Sequence, residues 1–462
     1  MAGRCFLLIF LFNVLILQNF LAQDKERMYF QVDSLLLKPS SINLFKAANI
    51  LEKELANDTI NGHFWLMLAR VSDLRGQSKK SVDCINKAIQ LSPKNHEYYK
   101  EKATFLNNYS EIHAAIEAID IAIGIQPNGE YYFWKGVFLQ QINQFSEAKT
   151  AYNTAIDKQY SRVELFNNLA ICLSEEGFYS AGLIAINKAL AIDANSAYAY
   201  SARSKLNFFL LNIDESCEDR KKAMSLGHQN VIILPDSICD SNDQKAKILF
   251  ASEVLYSNKV YSQSALGFTK LIELDSSSFN YFLNRGYCNF KLGKYTLAEH
   301  DYKEALKRQP NDNHSLDLLY DNLSLLYYEM SMYEESIIYS TKRIELNPNN
   351  HVPYIDRGLC YRHLKEFQLA QRDFNKSLAI KPDFFRAYGY RSFLHLELGN
   401  YENALKDARK SVEINPEYAY GYLVMGQAKI KLKQKDYCTD FKRAVELKFS
   451  EAEEALRQFC SE

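Results

Sequence analysis

The sequence has almost no excess of either charge. Its 462 residues include 55 basic and 56 acidic side chains, a formal net charge of −1. A surplus of lysine and arginine is what nucleic-acid-binding domains carry, and this chain has none. It also lacks the basic stripe that would attract an anionic membrane surface. The composition therefore argues against nucleic acid and against charged lipid as partners.

Motifs that carry catalysis or bind metal are also missing. The chain contains no C-x-x-C, no H-E-x-x-H and no G-x-S-x-G. Its nine histidines are scattered along the chain, and His351, His363 and His395 occupy unlike positions in neighbouring segments. We therefore predict no enzyme, no cofactor and no metal site.

No apolar run is long enough for a typical membrane span, which needs about 20 residues. Phe6–Leu17 is apolar apart from Asn13, follows the basic Arg4 and precedes Ala22. This layout predicts a secretory signal peptide at 1–22, either cleaved after Ala22 or retained as an anchor, which would then be the only membrane contact. We expect an exported protein that is periplasmic, cell-envelope associated or secreted.

A 34-residue pattern is what the sequence does contain. The triplets Gly177-Phe178-Tyr179, Gly293-Lys294-Tyr295 and Gly399-Asn400-Tyr401 lie in one register, and Ala189-Leu190 corresponds to Ala305-Leu306. A proline ends many of the units: Pro93, Pro127, Pro310, Pro348, Pro382 and Pro416. Small residues at fixed positions with this period are typical of a helix–turn–helix solenoid.

The pattern resembles the tetratricopeptide repeat family. The two arrays end in similar closing units, in which Cys217-x-Asp219-x-Lys221-x-Ala223 matches Cys438-x-Asp440-x-Lys442-x-Ala444, and these resemble the closing units of exported bacterial members. The resemblance implies an all-α, right-handed superhelical solenoid of antiparallel helix pairs. Such a fold presents a long surface instead of a catalytic pocket, because each repeat contacts only its neighbours.

The repeat positions divide the chain into six regions. After the signal peptide, 23–61 contains a degenerate repeat, with Leu44, Ala48, Leu51 and Leu55 at helical spacing. A first array of five repeats spans 62–230, a linker spans 231–244, a second array of six repeats spans 245–452, and a capping helix spans 453–462. The predicted units begin at Gly62, His96, Gly129, Val163, Ala197, Lys245, Phe279, Asp317, His351, Phe385 and Ala419.

The unit that begins at Phe279 illustrates the expected packing. We expect Gly286 to be small because the second helix crosses close to it, and Gly293 to end the first helix in the left-handed conformation. Arginines recur at the seventh position of four units, where we expect ion pairs between repeats. They are Arg203, Arg285, Arg357 and Arg391.

The cysteines separate into two groups. Cys172, Cys288 and Cys360 share one position in non-adjacent repeats and are predicted to be buried thiols. Cys438 and Cys460 lie equidistant from a turn near Phe449, so a disulfide there competes with two packed thiols as the interpretation. The same spacing relates Cys217 and Cys239, although Pro235 interrupts the second helix of that pair.

In the resembling family the first helix of each repeat lines a concave groove, and its ninth and twelfth residues share a face. The twelfth position holds Phe208, Tyr256, Phe290 and Tyr328, and the ninth holds Tyr287, Leu325, Leu359 and Phe393. These aromatic residues are predicted to bind a partner. The alternative is a one-residue shift that turns Phe208 and Phe290 into core.

A partial polar ladder lies at the sixth position. It consists of Asn168, Asn284, Asn322 and Asp356. In relatives an asparagine there holds a peptide backbone, so these asparagines are further candidates.

Two functions remain open. The chain is expected to be a non-enzymatic scaffold that binds an extended peptide or a protein surface of unknown identity. The alternative is a structural or assembly subunit of a cell-envelope complex.

Overall fold

The computed structural model describes residues 26–228, 234–308, 310 and 312–460. Within these ranges the regular structure is helical, with no strand. The described residues form two compact units that divide between Leu234 and Pro235.

The helices of unit 1 are residues 26–36 (α1), Ser41–Asn57 (α2), Gly62–Leu74 (α3), Ser78–Leu91 (α4), His96–Asn108 (α5), Ile112–Ile125 (α6), Gly129–Gln141 (α7), Phe145–Asp157 (α8), Val163–Glu175 (α9), Tyr179–Ile192 (α10), Ala197–Phe209 (α11) and Ile213–Ser225 (α12).

The helices of unit 2 are Asp236–Cys239 (α13), Gln244–Ser257 (α14), Tyr261–Leu274 (α15), Phe279–Lys291 (α16), Tyr295–Lys307 (α17), Asn313–Glu329 (α18), Tyr333–Leu346 (α19), Val352–His363 (α20), Phe367–Ile380 (α21), Phe385–Glu397 (α22), Tyr401–Ile414 (α23), Ala419–Lys431 (α24), Tyr437–Glu446 (α25) and Ser450–Cys460 (α26).

Consecutive helices pack as antiparallel pairs, from α3 with α4 to α11 with α12 in unit 1 and from α14 with α15 to α24 with α25 in unit 2. The predicted solenoid of helix pairs is therefore correct. The helices α14 and α20 begin within one residue of their predicted starts, whereas α18 begins at Asn313 because it takes up the extra residues before Asp317. Asp312 caps it by accepting a 2.7 Å hydrogen bond from the backbone N–H of Ser315.

The segments outside the pairs have their own structure. In the 23–61 region, α2 buries Leu44, Ala48, Leu51 and Leu55, the four residues of its apolar stripe. The 231–244 segment includes α13 and reaches the first residue of α14, and 231–233 lie outside the described residues. The terminal helix α26 begins at Ser450, earlier than the 453 predicted. The predicted signal peptide lies outside the described residues.

The turn inside each repeat uses one residue in the left-handed region. Gly293 has φ +71°, as predicted, but Lys259, Lys365 and Lys433 adopt φ between +56° and +63° in the corresponding turns. A left-handed lysine costs free energy that a glycine does not. The turn is therefore imposed by the packing of the two helices and not by glycine alone.

Glycine is required where the two helices of a pair cross. A Cβ on Gly286 would lie 2.6 Å from Cε1 of Tyr302, and a Cβ on Gly358 would lie 2.7 Å from Cε1 of Phe374. Both aromatic rings are fully buried. The missing side chain on one helix thus makes room for a large ring on the other, which supports the expectation for Gly286.

The recurring arginines do not make the expected ion pairs between repeats. Arg285 pairs with Asp301 of its own repeat, with Nη2 2.6 Å from Oδ1, and its Nη1 donates to Thr269 of the preceding repeat at 3.2 Å. Arg203, Arg357 and Arg391 repeat this arrangement with Asp219, Asp373 and Asp407 and with Asn187, Thr341 and Asn375. The ion pair lies within a repeat, and a hydrogen bond from the same guanidinium to a neutral acceptor joins neighbouring repeats.

The C-terminal helices form a hairpin closed by a disulfide. Cys438 of α25 and Cys460 of α26 are bonded, with their Cα atoms 5.7 Å apart. The predicted Cys217–Cys239 bridge would join different units and stays a prediction. Cys172, Cys288 and Cys360 are buried free thiols, as predicted.

Burial raises the pKa of Cys288 and of Cys360 to about 11, so both remain protonated at neutral pH. None of the helices in the described part of the chain combines the length and the apolar character that a membrane crossing requires.

Candidate binding groove

The candidate site is a cavity of about 530 Å³ in unit 2, on the side formed by the first helices of four successive repeats. We call it the groove pocket. The helices α18, α20, α22 and α24 lie next to one another there. The side chains that define its walls are Leu325, Tyr328, Asp356, Leu359, Tyr390 and Tyr420.

The sequence explains why this cavity exists. Ser324 occupies the crossing position that Gly286 and Gly358 occupy in other repeats, and Ser340 stands where those repeats place Tyr302 and Phe374. The two hydroxyls hydrogen-bond to each other at 2.6 Å. Two small residues therefore replace a glycine and a large ring. No aromatic side chain fills the space between α18 and α19 at this position.

Arg343 is the charged residue on the buried face of α19. It lies three residues after Ser340, on the same face of the helix, and only 5% of its surface is exposed. It pairs with Asp317 and Asp356 at 3.1 Å each, and also with Asp321. We call these three aspartates, which come from α18 and α20, the acidic trio.

The acidic trio has more negative charge than its arginine neutralises. Three carboxylates face one guanidinium, and 34% of the Asp356 side chain remains accessible in the groove. Because Asp356 lies deep in a concave surface with little water around it, burial raises its pKa to about 7 against the opposing effect of Arg343. Burial also raises the pKa of Asp321. Both shifts show that the cost of burying these carboxylates exceeds the stabilisation that Arg343 gives their charged forms.

The predicted Tyr328 contributes to the wall of this pocket and is half-buried. Its hydroxyl lies 3.0 Å from Nε2 of His363, and its ring packs against that of Tyr333 with centroids 5.7 Å apart. These contacts fix the orientation of the ring at the edge of the cavity.

The predicted residues Tyr256, Tyr287 and Phe290 lie outside the pocket, in the preceding repeats. The rings of Tyr256 and Tyr287 are 5.4 Å apart, and both contact Tyr261 of α15. Phe290 packs against Tyr295 at 5.8 Å. All three predicted residues are half-buried, so they are neither freely exposed nor fully core.

The prediction that Phe208 is an exposed groove residue is wrong. Its surface is only 4% accessible, and its ring lies against Phe209 with centroids 6.2 Å apart. Its neighbour Asn207 is also buried and donates to Asp219 at 3.2 Å. Because Asp219 supplies a polar partner inside the repeat, an asparagine is accommodated in the core, and Phe208 is buried beside it.

The asparagine ladder is not a continuous row on the surface. Asn322 is buried, whereas Asn168 and Asn284 are half-buried in different units. A buried amide cannot hold a ligand backbone without a rearrangement, so Asn322 is a poor candidate. In the groove pocket, the ladder continues as Asp356 and then Tyr390.

The sequence interpretation missed several pocket residues, among them Asp321, Arg362, Tyr390 and Tyr420. Tyr390 holds the sixth position of its repeat, Arg362 the twelfth and Tyr420 the second. Extending the ladder by one unit would have found Tyr390. The guanidinium of Arg362 lies over the ring of Phe393 at 4.9 Å and is 3.5 Å from Glu397. Its Nη1 thus contacts Glu397 of the next repeat, while its buried Nε has no hydrogen-bond partner among the described residues.

The groove pocket has no visible catalytic arrangement. The nearest thiol, Cys360, is buried and donates to Ser336 at 3.2 Å. Among the described residues, no group of three or more histidine, cysteine, aspartate or glutamate side chains is arranged to hold a metal ion. What the geometry offers is a surface of aromatic rings and carboxylates that can bind a ligand.

Comparison with known proteins supports the repeat assignment. Tetratricopeptide repeat models match 279–312 with one model and 62–95, 129–157, 319–350, 353–384 and 385–418 with another. Tetratricopeptide repeat protein 16 of Mus musculus is 23% identical over 320 residues, which cover 65% of this chain and 41% of that protein. DnaJ homolog subfamily C member 7 of Mus musculus is 32% identical over 87 residues, 19% of this chain and 18% of that protein.

Among solved structures, YrrB, a TPR protein with an unusual peptide-binding site, is 16% identical. It covers 40% of this chain and 95% of its own, with a TM-score of 0.35. By contrast, the chain spans less than half the length of tetratricopeptide repeat protein 16 and of DnaJ homolog subfamily C member 7. Together with the eleven helix pairs, the repeat-model matches support membership of the tetratricopeptide repeat family.

Proposed function

We propose that this protein is a non-enzymatic scaffold that binds an extended peptide, or an extended segment of a protein, along the first helices of unit 2. The observation that carries the proposal is the groove pocket. It is open to solvent, its volume of about 530 Å³ falls within the usual range for binding pockets, and its walls come from four consecutive repeats.

The chemistry of the walls supports a peptide ligand. Leu325 is 42% exposed although it is a leucine, and Leu359, Tyr390 and Tyr420 present further apolar surface beside it. Aromatic and aliphatic side chains in a concave surface provide the anchoring contacts of protein interfaces. An extended peptide that crosses successive repeats would contact the first helix of each repeat in turn.

A matched pair of variants tests this proposal. Leu325→Arg places a long charged side chain in the pocket, whereas Leu297→Arg makes the same change at an exposed leucine of α17. A random dodecapeptide display library is selected on the intact wild-type chain and on each variant. We expect wild type and Leu297→Arg to enrich one peptide family that Leu325→Arg loses. Equal enrichment by all three proteins would refute the groove as the binding surface.

A role in assembling a cell-envelope complex is the second candidate. It is supported by exposed apolar residues on the second helices of unit 2, Leu266, Leu297, Ile338 and Leu369. If these residues bind a stable partner subunit, Leu297→Arg, and not Leu325→Arg, should release a co-purifying protein. The export that this role requires is also a proposal, and a disulfide between Cys438 and Cys460 agrees with an oxidising compartment.

A further inference from the structure

We propose that the groove pocket is a cation-binding subsite that takes an arginine or lysine side chain of the bound peptide, with the acidic trio as its counter-charge. This inference rests on the proposed function and specifies the ligand. Tetratricopeptide repeat grooves are generic binding surfaces, whereas the trio is a feature of three particular aspartates in this chain.

The first argument is the charge imbalance. Asp317, Asp321 and Asp356 share the single guanidinium of Arg343, which comes from behind the pocket and is itself almost fully buried. The carboxylates of Asp321 and Asp356 form part of the pocket lining. A ligand cation reaching them from the open side would meet oxygen atoms that Arg343 only partly neutralises.

The second argument is the aromatic wall. Tyr328, Tyr390 and Tyr420 line the same cavity. The face of a tyrosine ring attracts a cation, and the attraction is stronger where water is excluded. Arginine is favoured because its planar guanidinium stacks on aromatic rings and donates hydrogen bonds to two carboxylate oxygens at once.

The third argument excludes the opposite ligand charge. Arg343 is committed to the trio, and Arg362 lies over Phe393 and near Glu397. Among the residues lining the pocket, Arg362 is the single cationic side chain, and the carboxylates of Asp321, Glu329 and Asp356 outnumber it. A peptide carboxylate or phosphate placed here would face these acids, so an anionic peptide is disfavoured.

The test uses two isosteric variants and one control. Asp321→Asn and Asp356→Asn remove a charge without changing side-chain volume, and Asp383→Asn makes the same change at an exposed site between α21 and α22. The dodecapeptide library is selected on the intact wild-type chain. We expect arginine or lysine to be enriched at one peptide position.

The selected peptide is then synthesised with citrulline, the neutral isostere of arginine, or norleucine in place of lysine. Fluorescence anisotropy should show binding to wild type and to Asp383→Asn weakened at least tenfold by the replacement. On the two trio variants the basic peptide should already bind at least tenfold more weakly, and the replacement should change little more. Unchanged circular dichroism melts establish that each variant is folded.

The outcomes separate the two proposals. If wild type enriches no peptide that Leu325→Arg loses, the proposed function fails. Suppose such a peptide is enriched, but replacing its basic residue by citrulline or norleucine does not weaken binding, or weakens it equally in wild type and in the trio variants. The groove is then still the binding surface, and the cation subsite is refuted. If Asp356→Asn does not fold, the more exposed Asp321→Asn decides the question.

Discussion

Replacing Gly286 with alanine should destabilise unit 2, although alanine is the better helix former. The added Cβ would lie 2.6 Å from Cε1 and 2.7 Å from Cδ1 of Tyr302, and 3.2 Å from Cβ of Asp301. Tyr302 is fully buried, so its ring cannot swing into solvent. Overpacking of this kind costs about 1–3 kcal/mol, against a gain of about 0.5–1 kcal/mol for alanine over glycine in a helix.

Gly124 provides the matched control. It lies within α6, has an ordinary helical backbone, and no atom lies within 4 Å of a Cβ added there. Gly124→Ala should therefore stabilise the chain by about 0.5–1 kcal/mol. Urea unfolding followed by circular dichroism at 222 nm measures both. If Gly286→Ala is as stable as Gly124→Ala, the inference that the helices of this repeat are closely packed at Gly286 is wrong.

Three further predictions follow from the structure and the sequence. Changing Cys438 to serine should destabilise the terminal hairpin by about 3 kcal/mol in the chain-entropy model. Hydrogen exchange in α25 and α26 should then be faster in the variant than in wild type, with little change in the rest of unit 2. Equal exchange rates in wild type and variant would contradict this. Because the pKa of Asp356 is raised to about 7, a basic peptide should bind more tightly as pH rises from 6 to 8, and Asp356→Asn should flatten that profile. Fractionation should recover the protein outside the cytosol, and a cytosolic chain with residue 1 intact would contradict export.

The sign of the pH effect follows from the surroundings of Asp356. Arg343 of α19 favours its charge, while Asp317 and Asp321 of α18 oppose it, and Tyr390 of α22 faces it in protonated form. Between about pH 4 and pH 7, the Asp356 carboxyl is protonated in the folded state and ionised in the unfolded state. Stability therefore falls as pH rises through this window, while affinity for a cation rises as the pH passes 7.

The helix pairs could be predicted from the sequence because their determinants are local. Each repeat of 34 residues contains a small residue at the helix crossing, a turn after it and an apolar stripe on the second helix. These features are close together in the sequence and act within the same repeat. The glycine at position 286 is an example. Its partner Tyr302 lies 16 residues later in the same repeat, so the spacing already implies the contact.

Exposure of the twelfth position could not be predicted in the same way. Phe208 and Phe290 hold equivalent positions and follow equivalent asparagines, yet Phe208 is buried and Phe290 is half-buried. Asn207 and Asn289 are buried in both repeats, each donating to an aspartate of the second helix. The local pattern is the same, so the repeat position alone does not determine how exposed each ring is.

The acidic trio shows the same limit at the candidate site. Asp317 and Asp321 lie four residues apart on α18, but Asp356 comes from the next repeat, and Arg343 reaches all three from α19. Ser340 stands where the repeats of Gly286 and Gly358 place Tyr302 and Phe374, so these charged residues meet at a departure from that pattern. The site takes its side chains from three helices and two repeats, which the 34-residue period alone does not bring together.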